Sequence, residues 1–141
     1  MQRLPFPKAI LFDWHGTLVD THDAMFATVE EVLPKLEELG LLKHLIPEDQ
    51  CRSADDIKLI RYIRLYRHLH PTILAERRIS RTDIFNAIFG DNDEAKTIAH
   101  HAYNNSYRTH YGDVKPLQQG VTEYLLSIKK LGLKLGIATN R

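Results

Sequence analysis

Two kinds of apolar pattern alternate along this chain. Near the start, Ala9-Ile10-Leu11-Phe12 is an unbroken apolar run, and near the end Leu133 to Ala138 forms a second, interrupted only by Lys134 and Gly136. The first run, without alternation, suits a strand buried on both faces, as in a parallel sheet under helices. The two runs predict strands at Lys8 to Asp13 and Leu133 to Ala138. Between them the apolar residues return at three- and four-residue steps, the helical period. Met25, Val29, Val32, Leu36 and Leu39 make one stripe on a helix that starts at a Thr21 or Asp23 cap and stops before Gly40. Pro34 inside that stripe predicts a kink or a break. Leu41 to Cys51 reads as a connection, with a turn at Ile46-Pro47-Glu48.

A second helix is expected from about Ala54 to His70. Ser53 is its cap, Asp55 and Asp56 lie in its first turn, and Ile57, Ile60, Ile63 or Arg64, and Tyr66 form its inner face. Pro71 opens a short third helix through about Arg78. Ser80 followed by Asp83 approximates a capping box for a fourth, Arg81 to Phe89, closed by Gly90. Asp91 or Asn92 caps a fifth, from about Asp93 to Thr109. Gly112 to Pro116 reads as a linker. A last helix, about Gln119 to Leu131, ends at Gly132 and leads directly into the second strand. No internal repeat or low-complexity tract is visible.

Composition narrows the possibilities. The 141 residues have the length of one domain, and 43% hydrophobic content supports a packed core. A net charge of +1 gives no reason to expect nucleic acid or an anionic membrane as partner. The apolar runs are too short to span a bilayer, and the N-terminus lacks a signal-peptide core. A single cysteine, Cys51, cannot form an internal disulfide, which suits a cytoplasmic setting.

The chemistry concentrates where the first run ends. A carboxylate at the carboxyl end of a buried parallel strand points into the crevice where open α/β sheets bind ligands. Asp13 stands there, and Gly16 allows a sharp turn whose backbone N–H groups can face an anion. Thr17 is expected to tie down that turn, Asp20 to cap the following helix and Trp14 to pack beside the site. Elsewhere Arg61, Arg64 and Arg67 repeat at three-residue steps beside Tyr62 and Tyr66. They read as a solvated helix face, with a grip on phosphate or carboxylate as the alternative. Eight histidines invite a metal reading. The spacing of His68/His70 and His100/His101 puts neither pair on one helix face, so they are expected at the surface.

Asp13-Trp14-His15-Gly16-Thr17-Leu18-Val19-Asp20 resembles motif I, DxDGTLxD, of the haloacid dehalogenase-like (HAD-like) hydrolase superfamily. Gly136-Ile137-Ala138-Thr139-Asn140 is similar to its motif II, and Pro116-Leu117-Gln118-Gln119-Gly120-Val121 to the start of the helix between them. The resemblance implies an α/β fold: a partial, Rossmann-like parallel-sheet core in 1–20 and 114–141, with an all-helical cap in 21–113. Such caps belong to the phosphoglycolate phosphatase-like branch. It implies that Asp13 is the nucleophile that becomes an aspartyl phosphate. Mg²⁺ would be held by the Asp13 carboxylate and the His15 backbone carbonyl, with Thr139 and Asn140 on the phosphoryl oxygens of a small phosphorylated metabolite. His15 departs from the pattern, since most family phosphatases carry a second, acid/base aspartate there. A histidine in that place either supplies the same proton transfers or is a spectator. Two alternatives stay open: a metal-independent dehalogenase, whose family pattern also lacks that aspartate, and a non-catalytic interaction protein that keeps the fold. The family's motifs III and IV have no counterpart up to Arg141. The expected partner is therefore the remainder of the same enzyme after residue 141, and the isolated chain is expected to turn over little substrate.

Overall fold

A computed structural model of the chain describes residues 4–76 and 79–139. The elements follow in the order β1 (Ala9–Phe12), β2 (Val19–Asp20), α1 (His22–Val32), α2 (Ala54–Tyr66), α3 (Pro71–Glu76), α4 (Arg81–Phe89), α5 (Asp93–Tyr107), β3 (Lys115–Pro116), α6 (Val121–Lys130) and β4 (Lys134–Ile137). The fold is α/β. Two compact units divide it, Met1–Thr21 with Asp113–Arg141, and His22–Gly112. Among the described residues no helix is long and apolar enough to cross a membrane.

In the first unit β1 pairs in parallel with β4, in a register that runs from Ala9↔Lys134 to Phe12↔Ile137. The Lys134 N–H donates to the Lys8 carbonyl at 3.1 Å, and the Ala138 N–H to the Phe12 carbonyl at 2.8 Å, so the ladder extends past both strand ends. α6 reaches β4 through Gly132, whose φ of +81° is a left-handed turn that a side chain would disfavour. The second pair, β2 with β3, is antiparallel and matches Val19 to Pro116 and Asp20 to Lys115. Among the described residues of this unit, Leu18, Val19, Ile128 and Leu133 are the buried apolar ones.

The expectation of a strand buried on both faces needs correction. Leu11 is 72% exposed and Ile137 54% exposed. Two strands make a single ladder, and a single ladder leaves its outer edges and much of its faces open to water.

The second unit holds the main core. α1 packs on α5, α4 on α5 and α2 on α4. Val29, Leu33, Leu36, Leu41, Ile60, Ile63, Ile84, Phe85 and Ile88 are fully buried in that core. Pro34 breaks the first helix as its missing N–H requires: α1 ends at Val32, and a 3-10 turn at Leu33–Lys35 carries Leu33 and Leu36 inward. Ser80 and Asp83 form the full reciprocal capping box at the start of α4. The Ser80 hydroxyl, then its backbone N–H, hold the Asp83 carboxyl below the usual range.

α2 stops at Tyr66, earlier than its apolar pattern suggests. Arg67 takes the left-handed conformation, φ 57°, and its guanidinium turns back onto the carbonyls of Ile63 and Arg64. Pro71 disfavours helical backbone at His70 before it, so the helix cannot run through His70 into α3. The inner face is consequently Leu59, Ile60 and Ile63, while Tyr66 is 58% exposed.

The three arginines of this region are committed internally. Arg61 forks onto Glu48 at 2.9 and 2.7 Å, and Arg64 donates to the carbonyls of Leu45 and Ile46 at 3.0 and 2.6 Å. Arg61 and Arg64 tie down the Leu41–Cys51 connection while staying on an exposed helix face, in line with the solvated-face reading. His100 is not a surface residue. It is half-buried, and its ring meets Phe85 edge-on, 4.9 Å between centroids. Burial, with Arg81 and Lys96 nearby, holds its pKa below the ordinary histidine value.

Glu31 on α1 supplies a pH-dependent clasp. Its carboxylate accepts from the Ser106 hydroxyl and lies 2.8 Å from His110 Nε2, which joins α1 to the end of α5 and the turn after it. The Ser106 hydrogen bond first, then His110, hold its pKa below the ordinary glutamate value. A depressed carboxyl pKa stabilises the fold above the unfolded-state value, and that stability is lost as pH falls through the folded value. Glu31→Gln is therefore expected to lower the urea midpoint at about pH 7, with the gap from the parent closing toward about pH 3. An equal gap at both pH values counts against the clasp.

Candidate active site

The site is built on the carboxyl end of the β1–β4 ladder. β1 finishes at Phe12 and Asp13 follows it. β4 finishes at Ile137, the ladder continues through Ala138, and Thr139 follows. Neighbouring strands lie about 4.8 Å apart, so parallel pairing in this register brings Asp13 and Thr139 out at the same end of adjacent strands. Both residues are exposed to solvent. Asn140, the other residue expected to bind substrate, lies outside the described residues.

The loop after Asp13 is a tight, internally bonded turn. The Trp14 carbonyl accepts from the N–H groups of Thr17, Leu18 and Val19 at 3.3, 3.1 and 3.3 Å. Gly16 donates back to the Val19 carbonyl at 2.9 Å and sits at φ +74°. A Cβ there would meet nothing within 4 Å, so the demand for glycine is conformational rather than steric. His15 is half-buried in this turn and bridges to Val19. Trp14 is half-buried beside it.

Two features were not foreseen from the residues. The Thr17 hydroxyl, expected only to brace the turn, also reaches Asp13, donating to Oδ2 at a long 3.5 Å. The Leu117 N–H donates to the Leu18 carbonyl at 3.0 Å, so the β3 segment pins the far side of the turn onto the same unit. Asp20, expected as a helix cap, lies in β2 opposite Lys115, two residues before α1 begins. Lys115–Pro116 had read only as linker, because a two-residue strand carries no periodicity that could mark it.

A carboxylate at a parallel strand end, a glycine turn beside it and a threonine at the end of the neighbouring strand form one constellation. The family model of a haloacid dehalogenase-like hydrolase matches residues 7–141, both strands and everything between them. The chain belongs to the haloacid dehalogenase-like hydrolases. Neither the comparison with curated proteins nor that with solved structures gives a match. As a haloacid dehalogenase-like hydrolase the chain carries a hydrolase fold with its motif I turn fully formed. His15 remains the departure within that motif.

Among the described residues no three His, Cys, Asp or Glu side chains converge in a manner that would hold a metal ion. The Asp13 carboxylate, exposed at the strand end, is a hard oxygen donor. That is the donor type Mg²⁺ prefers, and Mg²⁺ commonly takes one or two protein oxygens with substrate oxygens and water completing its shell.

Proposed function

We propose that this haloacid dehalogenase-like hydrolase cleaves a small phosphomonoester through an aspartyl phosphate on Asp13. The observation that carries this reading is the parallel register that brings Asp13 and Thr139 to one end of adjacent strands. Asp13 attacks phosphorus, the bond to the leaving oxygen breaks, and that oxygen takes a proton; water then attacks the aspartyl phosphate and releases inorganic phosphate. His15 is the proposed proton carrier for both halves, in place of the family's second aspartate. The Thr139 hydroxyl and the Asn140 amide are the proposed donors to phosphoryl oxygens. The Asp13 carboxylate and the His15 carbonyl would hold Mg²⁺, which when bound offsets the charge of the phosphoryl oxygens.

The helical unit, His22–Gly112, is the proposed cap that selects the metabolite, as in the phosphoglycolate phosphatase-like branch. The exposed apolar faces and open edges of β1–β4 support further strands of the same enzyme as the partner that completes the sheet and the charge-neutralising part of the site. The proposed setting is the cytoplasm, consistent with Cys51 as a free thiol.

The His15 departure favours one second reading, a metal-independent dehalogenase in which the same carboxylate displaces halide from carbon. Incubating the complete enzyme with p-nitrophenyl phosphate and with a 2-chlorocarboxylic acid, each with and without EDTA, separates the two. Phosphate release that EDTA abolishes is the expected result. Halide release that persists in EDTA transfers the assignment to the dehalogenase. Neither product from an enzyme that melts cooperatively points instead to a non-catalytic interaction protein.

A further inference from the structure

We draw no further inference here: the strongest candidate, the cavity of about 200 Å³ between the first turn of α2 and α3, with Leu59 in its wall and Asp55, Asp56, Lys58, His70 and Glu76 around it, carries nothing because its charges are of mixed sign, its paired carboxylates are an acidic cluster at a helix N-terminus, and no second feature of the structure points to a ligand there.

Discussion

In the proposed enzyme, with any further strands that complete its sheet, Asp13→Asn is expected to reduce phosphomonoester turnover by at least about 10³-fold while leaving the thermal midpoint essentially unchanged. An amide has the shape of a carboxylate but not its nucleophilic oxygen, so the covalent step has no alternative donor. The fold has little at stake in the charge. Asp13 is exposed, and the Thr17 hydroxyl that reaches it at 3.5 Å can donate equally well to an amide oxygen. Separating chemistry from stability is what makes this substitution decisive. Steady-state phosphate release and a thermal melt on the same preparation measure both. A variant that keeps more than about a tenth of parent turnover removes Asp13 from the nucleophile's role.

Local chemistry made much of the fold legible, and tertiary demands hid the rest. Pro34 announced the end of α1 because a missing N–H is a covalent fact that no packing can restore. Ser80, Asp83 and Gly90 marked both ends of α4 for a similar reason: caps satisfy backbone groups within a few residues of themselves. The end of α2 was less visible. Nothing in Arg67 demands a left-handed conformation, and the burial of Leu69 just beyond it, 1% exposed, is a tertiary demand that local pattern does not show. In the arginine row Arg61 and Arg64 lie on an exposed face as the spacing suggests, but their partners, Glu48 and the carbonyls of Leu45 and Ile46, are distant in sequence and could not be read.

The site divides along the same line. The motif around Asp13 is contiguous, so its carboxylate, its glycine and its turn could be read directly. That Thr139 shares an end with Asp13 follows once parallel pairing is granted, since both residues stand just beyond their strands. The Leu117 anchor on Leu18 depends on a chain return after ninety-odd residues, and two-residue strands leave no pattern to find. Apolar character alone also overstated burial. Leu11 and Ile137 have the composition of a covered sheet, yet burial depends on what lies against them.

Phe85→Ala is expected to cost about 3–5 kcal/mol, the range for removing a buried aromatic ring, and to lower the midpoint of the helical unit by on the order of 15 °C or more. Phe85 is fully buried on α4. Its ring lies 6.3 Å from that of Phe89 and 4.9 Å from that of His100, so it fills the space between α4 and α5. Close-packed interiors relax only partly around a deleted ring, so a cavity is expected to remain. Domains of this size are typically stable by only about 5–15 kcal/mol, so the loss takes a large share of the whole. His100 supplies a second, local readout. Burial is the main cause of its lowered pKa, and deleting the ring beside it admits water. In Phe85→Ala the His100 resonance should therefore titrate at a higher pH than in the parent, nearer the ordinary histidine value, with the repulsion from Arg81 and Lys96 still in place. Denaturant melts and an NMR titration of the histidine ring protons test the two halves together. A loss below about 1 kcal/mol would mean that the α4–α5 contact is not where the second unit's stability resides. A large loss with no movement of the His100 titration would mean instead that the helices close over the cavity and keep the imidazole dry.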